Sequence, residues 1–158
     1  MNYYIDVQNA TDESLPVSED ELTRLAHLAL RDYQKEAELT IRLVTPEEMT
    51  YLNHTYRKQN KTTNVLAFPS SLPPELQLEC PLLGDVVICP HVLLEESNQL
   101  SKPLEAHWAL ILIHGILHLL GYDHIKDDEA TIMQAIEIKL LAELGFPNPY
   151  TAEDIELE

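Results

Sequence analysis

Apolar and polar residues alternate through Tyr3, Ile5 and Val7 against Tyr4, Asp6 and Gln8, the two-residue period of a strand with one buried face. The period then lengthens. Ser18 with Glu21 three residues on forms a capping box, and Leu22, Leu25, Ala26, Ala29 and Tyr33 form one helical stripe. Alternation returns from Glu38 to Val44, with Leu39, Ile41 and Leu43 on one side. Thr45, Pro46 and Glu48 then start a short helix that is predicted to carry Met49, Leu52 and Tyr56 inward and to deliver Arg57 to its end. Asn64–Phe68 and Leu83–Cys89 read as two further strands, the second broken only by Gly84. Between them, the prolines of Ser70–Pro81 predict an irregular loop. A helix over Pro90–Gln99 follows, and Pro103 opens a long apolar one. A last helix, capped by Asp127 or Asp128, buries Met133, Ile136, Leu140 and Leu144 before Gly145 and Pro147 end it.

These elements define an α+β fold with one mixed sheet of about four strands and helices packed on it. The 158 residues fit a single domain over 1–150, followed by an acidic tail, 151–158, expected to fray. The run Trp108–Leu120 is short of the ~20 residues of a membrane span and holds two histidines, so it reads as a buried central helix. The opening Met-Asn-Tyr-Tyr-Ile-Asp has no basic segment followed by an apolar run, so the expected compartment is the cytoplasm. Cys80 and Cys89 form no C-x-x-C pattern and are expected to stay reduced without binding metal.

A formal net charge of −17 argues against a protein that coats nucleic acid nonspecifically, because phosphate binding is dominated by cations. The charge is uneven. Met49–Pro74 contains no Asp or Glu but includes Arg57, Lys58 and Lys61, which is either an ordinary solvated loop or a local phosphate-attracting patch.

The chemistry concentrates in His114-Gly-Ile-Leu-His118-Leu-Leu-Gly121-Tyr-Asp-His124. On one helix His114 and His118 stand at i and i+4, stacked so that both imidazoles reach one ion. Gly121 stops the helix in a left-handed conformation and can return His124 as a third ligand. Three imidazoles and one open position make a catalytic metal site, whereas structural zinc usually has all four positions filled by protein. A lone helical histidine is more often a hydrogen-bonded core residue, and His107, two turns and ~10 Å before His114, is read that way. The spacing is that of the metzincin proteases, but Gly115 stands where they carry the glutamate that moves protons in peptide hydrolysis. A protease is therefore disfavoured.

The histidine stretch, with Thr63-Asn-Val-Leu-Ala-Phe-Pro69 and Leu83-Gly-Asp-Val-Val-Ile88, closely resembles the YbeY family of bacterial endoribonucleases over most of the chain. The resemblance implies a sheet with the metal helix lying across it, the site open in a cleft, and cleavage of single-stranded RNA. It further implies a role in maturing the 3′ end of the small-subunit ribosomal RNA and in ribosome quality control, with the ribosome as partner. One zinc, or another divalent transition metal, is the expected cofactor.

Attack on a phosphodiester builds negative charge on the equatorial oxygens, which a planar guanidinium meets with two hydrogen bonds. Arg57 is the candidate, and it matches the family's arginine before the T-N-V-L motif. The alternative is an exposed helix-end arginine favoured by the helix dipole. Lys58 and Lys61 are candidate RNA contacts. Asp85, a carboxylate in an apolar strand, is expected either to orient a ligand histidine or to cap a turn, and Asp123 could do either job. No general base is evident, so metal-bound hydroxide and the RNA 2′-hydroxyl both stay open as nucleophiles. Two other functions fit the residues: a metallohydrolase of another bond, and a non-enzymatic ribosome-binding module whose metal only staples the turn.

Overall fold

The computed structural model describes residues 3–33, 36–70, 82–122 and 126–150. Their order is β1 (Tyr3–Asn9), α1 (Glu19–Ala29), β2 (Ala37–Leu43), α2 (Pro46–Arg57), β3 (Val65–Pro69), β4 (Leu82–Ile88), α3 (Pro90–Leu100), α4 (Leu104–Leu119) and α5 (Asp127–Glu143). The strands form one mixed sheet in the order β1-β2-β4-β3, in which only the β3–β4 pair is antiparallel.

At the first two helices the predicted Ser and Thr caps form, while the glutamates that would complete each box bond Arg24 and Arg42 instead. Ser18 Oγ accepts from the Glu21 amide at 3.1 Å, and Thr45 Oγ1 from the Glu48 amide at 3.2 Å. At α5 the expectation fails: Lys126 occupies the N-cap without a side-chain bond, and Asp127 and Asp128 lie inside the first turn, where their charge still suits the helix dipole. The predicted loop over Ser70–Pro81, the acidic tail and Cys80 lie at or beyond the edges of the described residues; Cys89 is a buried free thiol.

Period-two alternation gives the sheet two different faces. Leu39, Ile41, Leu43, Val65, Ala67, Val86 and Ile88 pack with α1, α4 and α5 in the main core. Leu66 and Val87 point the other way, into a smaller cluster with Met49 and Leu52 of α2. Helix α4 is buried from His107 to Leu117, which explains why its sequence is apolar all round. Each fully buried Leu or Ile along it contributes roughly 1.5–3 kcal/mol. No described helix is long and apolar enough to cross a membrane.

Gly115 sets how close α4 lies to the sheet. A Cβ there would stand 2.7 Å from Val86 Cγ1 and 3.2 Å from Val65 Cγ2, both on buried, β-branched side chains. The glycine that replaces the protease glutamate thus faces the sheet, and the helix rests on it.

Candidate metal centre and RNA-facing residues

His114 and His118 lie in the last two turns of α4, with ring centroids 4.7 Å apart and planes nearly perpendicular. His114 is 1% exposed, and His118 is half-buried toward the outside. The helix then stops as expected. Gly121 takes φ +102°, its amide bonds the His118 carbonyl at 3.1 Å, and the Tyr122 amide bonds the Leu117 carbonyl at 3.0 Å. This is a Schellman stop, which turns the chain sharply just before His124. His124 itself, with Asp123, lies outside the described residues, and among the described residues no three His, Cys, Asp or Glu side chains form a cluster able to hold an ion.

The ring of His114 is held by a partner that its sequence position does not advertise. Glu137, on α5 and 1% exposed, lies 2.7 Å from His114 Nδ1 through Oε2. Its other oxygen, Oε1, accepts a 2.7 Å hydrogen bond from the Tyr150 hydroxyl. A carboxylate accepts, so the shared proton belongs on Nδ1, and the lone pair of Nε2 is the one presented to a ligand. Burial, with the Glu137 carboxylate beside it, pushes the Tyr150 phenol far above its ordinary range, which keeps it a donor. Carboxylate–histidine pairs of this kind fix ring and tautomer for metal binding, so His114 and His118 fit a divalent transition metal.

Glu137 takes the place expected of Asp85. Val86 faces α4, so Asp85, one residue earlier on β4, points to the opposite side of the sheet and does not orient His114. Nor does it cap a turn: it sits inside β4, paired across the sheet with Thr40 and Phe68. Gly84 shapes this spot. At φ +140°, it lets the Phe68 carbonyl approach to within 2.2 Å of where a Cβ would be.

Arg57, Lys58 and Lys61 are exposed at the end of α2 and in the segment leading to β3. Asn53 organises that segment: its carbonyl accepts from Gln59, its side-chain amide donates to the Lys61 carbonyl at 2.9 Å, and Lys58 closes the helix at φ 60°. No hydrogen bond among the described residues holds the Arg57 guanidinium. The segment leads into β3, whose first residue, Val65, packs against Gly115 on the sheet side of α4. His107 is structural, as expected. Its Nε2 lies 2.9 Å from Glu96 Oε1, and the same carboxylate receives Asn64 at 3.3 Å, tying the start of β3 to α3 and α4.

A small α+β domain with two histidines near the end of a buried helix, one of them held by a buried carboxylate, and with exposed cations at the end of α2, has the side chains of a hydrolase acting on a phosphodiester. The comparisons make this specific. The family model described as Endoribonuclease YbeY matches residues 6–145. A protein named Endoribonuclease YbeY from Legionella pneumophila strain Corby is 72% identical over all 158 residues and the whole of both chains. A protein of the same name from Pseudomonas putida strain F1 is 51% identical over 152 residues, 96% of each chain. The solution structure of TM1509 from Thermotoga maritima superposes with a TM-score of 0.62 at 26% identity, covering 89% of this chain and 88% of that one. The chain belongs to the YbeY family of endoribonucleases.

Proposed function

We propose that this endoribonuclease is zinc-dependent, cuts single-stranded RNA, and works in the cytoplasm on ribosomal RNA, at the 3′ end of the small-subunit molecule and in ribosome quality control. The observation that supports the metal dependence is the Tyr150–Glu137–His114 chain: two bonds of 2.7 Å put the proton on Nδ1 and the lone pair on Nε2 of a ring whose centroid lies 4.7 Å from that of His118. His114 and His118, with His124 returned by the stop at Gly121, would hold one divalent ion. Bound there, it would supply an acidic water or a Lewis-acid contact to a phosphoryl oxygen.

The remaining chemistry falls to the chain. Arg57 places its planar fork on the equatorial oxygens as their charge grows. Lys58 and Lys61 neutralise neighbouring phosphates and draw one RNA strand to a body that otherwise repels it. Asn53 limits the freedom of that segment, so less entropy is lost when RNA binds.

The test is cleavage of matched single-stranded and duplex RNA by the metal-loaded protein, with metal analysis on the same sample. Preferential cutting of the single strand, lost on chelation and restored by zinc, is the expected result. Fully metal-loaded protein that cuts no RNA, and unfolds on chelation, would leave the metal as a staple. Undiminished cleavage after complete metal removal would end the zinc reading.

A further inference from the structure

Helix α2 covers only part of the sheet face turned away from α4. Between its flank and the sheet lies an open cavity of about 310 Å³ lined by Arg42, Glu48, Leu52, Tyr56, Phe68, Asp85 and Val87. Arg42 and Glu48 are engaged with each other at 2.9 Å. Tyr56 was expected to point inward with Met49 and Leu52, yet it is 63% exposed. Its ring meets Phe68 edge to face, centroids 5.3 Å apart. Asp85 is exposed beside this pair and makes no hydrogen bond or ion pair among the described residues.

We propose that Tyr56, Phe68 and Asp85 form a subsite for one unstacked nucleobase of the RNA strand being cut. An exposed aromatic surface offers a stacking platform to any base, and single-stranded RNA is the nucleic acid whose bases are free to use one. The carboxylate repels phosphate but accepts from N–H groups on a base edge, so a base, not the backbone, fits beside it. Guanine, with adjacent N–H donors on its Watson–Crick edge, suits it best. The position suits the same strand: Tyr56 immediately precedes Arg57, and edge strand β3 carries Phe68 on this face and Val65 against Gly115 on the other. RNA running from the histidines past Arg57 and over that edge sets one base in the cavity.

This subsite rests on the RNA-cutting activity, and the test separates the two. In a single-stranded oligonucleotide cut by the metal-loaded protein, bases are removed one at a time, and kcat/KM is measured with wild type, Tyr56→Ala, Tyr56→Phe and Asp85→Asn. Wild type is expected to show one position, at a fixed distance from the cut, where base loss lowers kcat/KM about ten-fold, through KM, as for one lost stack. Tyr56→Ala is expected to be impaired on intact RNA and indifferent to base loss at that position, with metal content and salt slope unchanged. Tyr56→Phe should recover the sensitivity, and Asp85→Asn should keep it while losing the preference for guanine. Cleavage with no sensitive position in wild type overturns the subsite alone, as does full sensitivity retained by Tyr56→Ala. If that variant cuts RNA normally in solution but fails to mature ribosomal RNA in cells, the face serves a protein and the proposal falls. No RNA cleavage at all overturns the functional reading, and the subsite with it.

Discussion

Replacing Glu137 tests whether the buried carboxylate steers His114, the proposed metal ligand, or merely fills the core. Glu137→Ala removes the acceptor of two 2.7 Å bonds, one from His114 Nδ1–H and one from the Tyr150 hydroxyl. Each donor that loses this acceptor costs about 1–3 kcal/mol, roughly 2–6 kcal/mol together, enough to endanger folding and confuse the result. Glu137→Gln is the cleaner probe. Its amide oxygen can accept from His114 while its NH2 group donates to the Tyr150 oxygen, so shape and pairing survive and only the carboxylate charge is lost. Outer partners of metal-ligating histidines typically contribute 10–100-fold to affinity, about 1.4–2.7 kcal/mol. Chelator competition is therefore expected to find Glu137→Gln weaker by about ten-fold or more. Tyr150→Phe, which leaves the His114–Glu137 bond in place, should lose more in melting temperature than in metal affinity. Wild-type affinity in Glu137→Gln, or a larger affinity loss in Tyr150→Phe, would refute the steering role.

Metal should leave as pH falls through the imidazole range, with a dependence steeper than one proton because several neutral histidines are required; equilibrium dialysis with metal analysis reads it. The Tyr150 phenol is raised above its ordinary value of 10.0, so the stability it contributes is fully present below that pH and is lost as pH rises past it; an alkaline melting series should show the decline shrink in Tyr150→Phe. Arg57→Ala should cut RNA at least ten-fold more slowly with metal and folding intact, and Arg57→Lys should stay impaired because it lacks the fork; Lys58→Ala and Lys61→Ala should mainly flatten the salt dependence of binding. Gly115→Ala gains about 1 kcal/mol of helix propensity but places a methyl 2.7 Å from Val86 Cγ1, so overpacking of about 1–3 kcal/mol should win and lower the melting temperature by a few degrees. A higher melting temperature would refute that balance.

Much of the fold is legible because its signals are local. Hydroxyl N-caps at Ser18 and Thr45, period-two strands and the glycine stop at Gly121 each act within a few residues, and each appears where the pattern puts it within a residue or two. Tyr56 shows where that legibility ends. Its spacing from Met49 and Leu52 is that of a buried stripe, but its ring rests edge-on against Phe68 at an open cavity, and whether a stripe is covered is set by packing and not by its own period.

The candidate site divides the same way. His114 and His118 are one helical turn apart, and their pairing follows from helix geometry alone. Glu137 comes from another helix and stands on its buried face among Met133, Leu140 and Leu141. A carboxylate inside an apolar stripe costs too much to bury without partners, so that anomaly was the available signal, and Asp85 offered a similar one in β4. The two separate only in three dimensions. Glu137 meets its cost with two buried donors at the histidine end of α4, while Asp85 avoids it by facing outward beside Tyr56 and Phe68. Gly115 links the two sides: its missing side chain brings α4 onto Val86, and that contact turns the preceding Asp85 away from the histidines. The glycine that stands where the proteases carry glutamate therefore also fixes which carboxylate can reach His114.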